Sequence, residues 1–352
     1  MPTTFADLEA KYDGFYAPTF EIDISGGETF STAEGRASSV TVRTAIDRTN
    51  RVSFSVGGVY DQSAGDFTGV ASAGLEVGSS LTVKLGYGST IETVMTGQIT
   101  DVNPRFPEAS APTIDVVGHD HRWAMGRASG DRSWDGSTVT DVAESLARGY
   151  GFDRVETSSG GATDLELEHL TKDAESDLAF LTRLAETFDY ELFSRAGVLW
   201  FRRPPTDGSP ALSLQYGRGL RSYQRRGAAG GEGVGTVTHR GVDHYTGTQV
   251  SGSATRGEGD AERVRNAPME SDLEAERRSA ATATGMKRER RSTVTTLGLP
   301  DLRIGDWLAL TGLGSVGGRS YDGTYYVQSV DHTVDRSGYT TSADVSGPTE
   351  TE

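Results

Sequence analysis

The sequence predicts a mainly β chain in which an α/β unit separates two β units. Three observations carry this. Val40–Ile46, Arg51–Val56 and Leu81–Leu85 alternate apolar and polar residues, the period of a half-buried strand. Ser176–Asp189 instead sets Leu178, Leu181, Leu184, Ala185 and Phe188 along one helical stripe. And Leu75, Val77, Gly78, Leu81 and Val83 are echoed at Leu302, Ile304, Gly305, Leu308 and Leu310, as if one small β unit were used twice.

The chain has 352 residues. At roughly 100–200 residues per domain that allows two or three domains. In the first third, Asp47–Asn50 forms a turn between the first two strands. Ile91–Val102 reads as a longer strand with a glycine at 97, broken by Pro104 and Pro107, and Thr113–Val117 follows. No helical period is visible there. In the middle, Ser137–Gly149 predicts a helix with Thr138 and Asp141 as a capping box and Val142 and Leu146 on one face. Ser176 caps the second helix, with Asp177 in its first turn. Tyr190–Ser194 and Val198–Arg202 form a hairpin about Ala196-Gly197, and Pro204-Pro205 marks a boundary. In the last third, Gly227–Gly235 reads as a loop and the charged stretch Ser271–Arg291 as a helix. Asp306–Thr311, Thr324–Val330 and Tyr339–Val345 complete the β set, and Gly347–Glu352 should fray. In the echo, Gly97 lies 19 residues past Gly78 and Gly323 lies 18 past Gly305, which pairs those two glycines as counterparts.

Acids outnumber bases 50 to 34, a formal charge of −16. That argues against a surface built to grip nucleic-acid phosphates. Only Lys11, Lys84, Lys172 and Lys287 are lysines, and the other bases are arginine. Excess carboxylate with so little lysine suits a protein working in concentrated salt, where self-repulsion is screened, although a GC-rich genome also favours Arg, Gly and Ala. With no cysteine, disulfides, thiol nucleophiles and Cys-containing zinc sites are excluded. No stretch approaches 18 apolar residues, and Met1–Tyr16 is too mixed for a signal peptide.

Candidate chemistry is thin. His119 and His121 would share a face of a strand, as metal ligands should, yet His169, His239, His244 and His332 supply no third ligand at a matching spacing. Gly312, Gly314 and Gly317 fit a dinucleotide fingerprint, but a strand follows where a helix is needed, so a hairpin turn is expected. The basic run Lys287–Arg291, near Arg277 and Arg278, could touch nucleic acid or a partner's acids, but a solvated helix face laced with ion pairs is the favoured reading. No catalytic, cofactor-binding or metal residue is therefore assigned.

The order of segments is more informative. Gly78–Tyr87, Gly97–Val102 and Ile114–Asp120 are followed by Thr140–Ala147, Tyr150–Phe152 and Ser176–Glu186. Tyr190, Gly197 and Leu199–Phe201 come next, then Gly298–Leu302, Gly305–Asp306, Gly323–Val327, Val330–His332 and Gly338–Thr341. This series, running from about Phe20 to Val345, resembles the phage late control D family of tail baseplate hub proteins. That family is related to the front part of type VI secretion valine–glycine repeat proteins. The resemblance implies two tail-tube-like β-barrels, residues 1–125 and 205–352, flanking an α/β insertion of residues 126–204, with a charged helix at about 271–291. It implies a homotrimer whose six barrels continue a hexameric tail tube or distal tail protein, and whose far side meets a spike or tail-tip protein. A tape measure protein is a further expected partner. DNA would pass through an acidic or neutral lumen without specific binding. The expected place is the virion tail, after synthesis in the host cytoplasm. The family implies no catalytic residue. The chain departs by stopping after the second barrel, without an appended spike or lysozyme-like domain. Its acidity points to a virus of haloarchaea. Two other readings stay open: the hub of a virus-derived contractile injection system, and an envelope hydrolase with an acid pair within Asp153–Thr163.

Overall fold

A computed structural model describes residues 1–158, 164–205, 208–226, 234–243, 246–255, 261–288 and 291–349. Residues 227–233 of the expected loop at Gly227–Gly235, part of the Asp153–Thr163 segment, His244, and the side chains of most of the Lys287–Arg291 run lie outside the described residues, and Val234 and Gly235 open a strand instead.

The chain opens with β1 (Thr3–Thr4) and α1 (Phe5–Lys11). This helix was not expected, although Thr4 and Asp7 form a reciprocal capping box. The first β unit contains β2 (Pro18–Ile24), β3 (Thr29–Ser31), β4 (Ala37–Ala45) and β5 (Arg51–Val56). After the one-turn α2 (Gly69–Ser72) come β6 (Ser80–Tyr87), β7 (Thr90–Arg105) and β8 (Thr113–His119). They pair in the order β3-β2-β6-β7-β8-β5-β4. Alternation along β5 and β8 sends Val52, Phe54, Val56, Ile114 and Val116 inward, all buried. β7 does not stop at Pro104 as expected. Proline is tolerated on an unpaired strand edge, and here the other edge is paired with β8 through Arg105.

The insertion begins with α3 (Arg122–Met125) and β9 (Arg132–Thr138), and continues through α4 (Val139–Ala147), β10 (Arg154–Ser158) and β11 (Glu166–Lys172). Then come α5 (Asp177–Phe188) and the hairpin β12 (Glu191–Arg195) and β13 (Val198–Arg202). Thr138 and Ser176 cap the two long helices as their sequences predict. Phe180, Leu181 and Leu184 of α5 pack with Val142 and Leu146 of α4 and with Leu199 and Phe201 in a core separate from that of the β units.

The second β unit holds β14 (Pro210–Tyr216) and β15 (Gly219–Arg225). A side layer of β16 (Val234–Val242), β17 (Gln249–Thr255), β18 (Ala261–Asn266) and α6 (Asp272–Arg288) follows. There Gly252 lets the helix close in, since a Cβ at Gly252 would stand 2.2 Å from the Glu276 nitrogen. The unit continues with β19 (Arg291–Leu297) and β20 (Trp307–Thr311), the small β21 (Ser315–Val316) and β22 (Arg319–Ser320), then β23 (Gly323–Asp335) and β24 (Gly338–Thr349). β14, β15, β19, β24, β23 and β20 close into a six-stranded barrel, because β20 pairs with both β23 and β14. The first unit keeps β3 and β4 as the two ends of its run. β24 holds its pairing through Thr349, past the point where fraying was expected.

The two β units share one apolar core, and their sheets are joined by antiparallel pairing of β4 with β23.

Candidate assembly interface

The repeat is a register match. In the first unit the Gly78 N–H donates to the Ile99 carbonyl at 2.8 Å, and the Ile99 N–H donates to Ser79 at 2.8 Å. In the second, Gly305 donates to Val327 at 2.9 Å and Val327 to Asp306 at 3.0 Å. Both corner glycines have positive φ, +98° and +81°, which glycine adopts without strain. β7 carries a bulge between Ile99 and Asp101 against β8, and β23 carries the matching bulge between Val327 and Ser329 against β24. The strands β4-β5-β8-β7-β6 thus correspond to β15-β19-β24-β23-β20. The second glycines do not correspond, against expectation. Gly97 lies opposite Leu81, whereas Gly323 lies opposite Leu310, the counterpart of Val83. Gly97 has its own cause: a Cβ there would stand 2.0 Å from the His119 carbonyl oxygen.

One junction between the units is filled. Ser329 to Val334 of β23 pair with Ala45 to Val40 of β4, and Arg43 meets Asp331 at 3.6 Å. Burial pushes the Asp331 carboxyl up, with Arg43 opposing and Asp344 adding to the rise. The counterparts of these two edges are open among the described residues. β7 pairs with β6 only over Thr90–Gln98, so Asp101–Arg105 has β8 on one side alone. β15 meets β14 only at Gly219 and Leu220, so Ser222–Arg225 has β19 alone. Next to the first edge stands an aromatic cluster of Tyr60, Phe67 and Phe106, with Phe106 64% exposed.

The insertion is pinned to both units. Arg122, 1% exposed, donates through Nε to Asp120 at 2.9 Å and through its terminal nitrogens to Asn50 Oδ1, the Ala45 carbonyl and the Leu192 carbonyl of β12. The hairpin β12–β13 lies on the corner at Gly305: Arg202 donates to the Gly305 carbonyl at 2.5 Å and Arg195 pairs with Asp306 at 2.7 Å. Phe193 packs into the shared core of the β units.

The histidines and glycines that stand out in the sequence do not gather in one place. His119 Nδ1 lies 2.9 Å from Thr100 Oγ1 and its ring stacks on Trp123. His121 sits edge-on to Phe152 and against Gly151. Burial pushes both imidazoles below the ordinary histidine range; Arg51 reinforces this at His119, and Asp120 opposes it at both. Among the described residues, no group of three His, Asp or Glu side chains is placed to hold a metal. The Gly312–Gly317 segment leads into the β21–β22 hairpin. Its amides are engaged: those of Gly312, Leu313 and Gly314 donate to the Asp322 carboxylate at 3.1, 2.7 and 3.2 Å. Partial burial acts to raise the pKa of Asp322, but these bonds hold it below the ordinary value. Asp322→Ala should therefore speed amide exchange at Gly312–Gly314 while leaving the melting temperature nearly unchanged; unchanged exchange would contradict this.

The fold recurs in solved tail proteins. The 43 kDa tail protein of prophage MuSo2 from Shewanella oneidensis superposes with a TM-score of 0.66 at 17% identity, over 94% of this chain and 99% of that one. A tail protein from Neisseria meningitidis MC58 gives 0.67 at 14% identity, over 94% and 97%. An Escherichia coli component of the type VI secretion system, described as structurally similar to T4 bacteriophage tail proteins, gives 0.58 at 12% identity, over 94% and 77%. At these identities the likeness is one of fold. No curated protein matches the chain. A family model described as the Alg8 N-terminal domain matches residues 16–244, well over half of the sequence, and the chain belongs to that family.

Proposed function

We propose that this protein is a structural hub of a viral tail or baseplate, in which three copies form a ring of six similar β units. The observation that carries this is the register-matched pair of β units in a fold shared, over nearly the whole chain, with two tail proteins, one of them from a prophage. One copy then supplies two near-equivalent wedges, and three supply six. Such a ring can dock a sixfold tube on one side and seat a threefold spike or tail-tip protein on the other. We divide the chain at residues 1–125, 126–204 and 205–352, with the helix and hairpin of Ser176–Arg202 outside the ring. The lumen would be acidic or neutral, so that DNA passes without being held. The reading assigns no catalytic residue and no metal, and it places the protein in the virion.

Native mass in molar salt tests the ring. A trimer is expected, and a stable dimer or hexamer would overturn the model. The −16 charge and the four lysines support assembly in concentrated salt. Melting curves should accordingly move upward between low salt and molar KCl, and identical curves would count against that part. A second reading, the hub of an injection machine without a genome, is favoured by the type VI component among the similar structures. The presence or absence of capsid genes beside this one separates the two. Activity of purified protein on cell-wall polymers would instead favour an envelope hydrolase.

A further inference from the structure

We infer that the open edge of β7 receives the open edge of β15 from a second copy of this chain, antiparallel and in the register of the internal β4–β23 junction. This rests on the ring reading and specifies its contact. The correspondence of strands makes β15 the counterpart of β4 and β7 the counterpart of β23. Inside one chain, β4 of the first unit fills the lower half of β23 in the second. The same operation applied once more takes β15 of the second unit to β7 of a first unit, which only another copy can provide. Both edges are strands with one partner among the described residues, the arrangement that invites pairing with another chain.

The register follows from the ladders. Arg51 of β5 is opposite His119, and Arg291 of β19 is opposite Ser346, so Arg51 and Arg291 correspond. Arg43 pairs with Arg51, and the Arg226 N–H donates to the Arg291 carbonyl at 3.0 Å, so Arg226 stands for Arg43. On the other side, Asp331 is opposite Ser342 and Asn103 is opposite Asp115, two places past the matching bulges, so Asn103 stands for Asp331. The internal pair Arg43–Asp331 thus predicts Arg226 against Asn103 between copies, followed by Arg225 against Pro104 and Gln224 against Arg105. The acid of the internal pair has moved one strand over, to Asp115 beside Asn103. Pro104 stands where His332 stands and brings no N–H, so the contact between copies has fewer donors to offer than the internal one. A proline on this edge also guards it against indiscriminate pairing before assembly.

The absence of cysteine makes the test clean. Asn103→Cys and Arg226→Cys are introduced together. Opposed residues on paired strands fall within disulfide range. Mild oxidation should give disulfide-linked multimers, and neither single substitution should. Thr41→Cys with Thr333→Cys, opposed at the internal junction, should close within one chain and validates the register. On the unsubstituted protein, amide exchange at 101–105 and 222–225 should slow by about tenfold or more on assembly. Assembly by mass with no interchain disulfide, or with fast exchange at both edges, would overturn the edge pairing and leave the hub reading standing. A chain that stays monomeric and unlinked at every salt and concentration would overturn both.

Discussion

Replacing Arg122 by leucine should cost the fold about 3–5 kcal/mol, the usual range when one partner of a buried ion pair is removed. The guanidinium and the Asp120 carboxylate are both shut away from water, at 2% and 0% side-chain exposure. Asp120 also accepts from the Asn50 N–H at 3.1 Å, and Asn50 Nδ2 donates to the Ser194 carbonyl at 2.8 Å. One side chain thus fastens the end of β4, the β4–β5 turn and β12 of the insertion. Leucine would leave a buried carboxylate unpaired and the Ala45 and Leu192 carbonyls without this donor. Lysine would recover only part of the loss, because a single ammonium cannot span a planar fork's partners. Adding Asp120→Asn to Arg122→Leu should restore stability relative to Arg122→Leu alone, since it removes the stranded charge. Urea unfolding of the three variants measures this. A loss under about 1 kcal/mol for Arg122→Leu would refute the role given to the pair.

The second large effect is a loss of stability in mild acid. His332 lies in β23 at the internal junction and is 2% exposed, with Nδ1 3.0 Å from both Thr341 Oγ1 and Tyr339 Oη. Burial, with Arg303 adding to it, pushes its pKa down to about 3. The unfolded chain has the ordinary value near 6.5, so below that pH it takes up a proton that the folded chain refuses. The stabilisation is whole above pH 6.5 and is lost as pH falls toward 3. At pH 5 the loss from His332 alone is about 2 kcal/mol at 1.36 kcal/mol per pH unit. His119, His121 and His239 are also lowered by burial and act in the same direction. His332→Asn keeps a polar group near Nδ1 and removes the titration. Its unfolding free energy should vary less between pH 7 and pH 5 than that of the unsubstituted chain, and an equal slope would exclude His332 as a source.

Local signals were legible where a few neighbouring residues decide the outcome. The caps at Thr138 and Ser176, the stripe of α5 and the turn at Ala196-Gly197 each rest on residues within one turn of one another. The corner glycines Gly78 and Gly305 were legible too, because each needs a positive φ before a strand. What failed needed partners far along the chain. Pro104 reads as a breaker until β8 is seen to hold its strand from the other side. Arg122 drew no reading from the sequence, because its burial depends on the insertion closing over it. The Gly97–Gly323 match counted spacing, whereas pairing is set by the ladder and differs by two residues. The open edges left no mark in the residues themselves, since an edge is defined by what fails to lie beside it. Local signals were also overlooked: Thr4 with Asp7, the cap of α1, and the alternation of Phe20, Ile22 and Ile24 with Glu21 and Asp23 in β2.

The β4–β23 junction also sets a timetable. Ala45 pairs with Ser329, so β4 leaves the ribosome 284 residues ahead of its partner. At 5–20 residues per second that is a delay of roughly 15 to 60 seconds. Throughout it Val40 and Val42, wholly buried in the finished fold, wait on a bare rim. Contacts this remote in sequence form late. The first unit must therefore hold its shape through β5 while a nearby nascent chain, further along, can offer its own β23 to the vacant rim. Crowded translation, with many copies made at once, favours that exchange. The harvest of correctly closed chains should then fall as expression is driven harder and recover when synthesis is slowed.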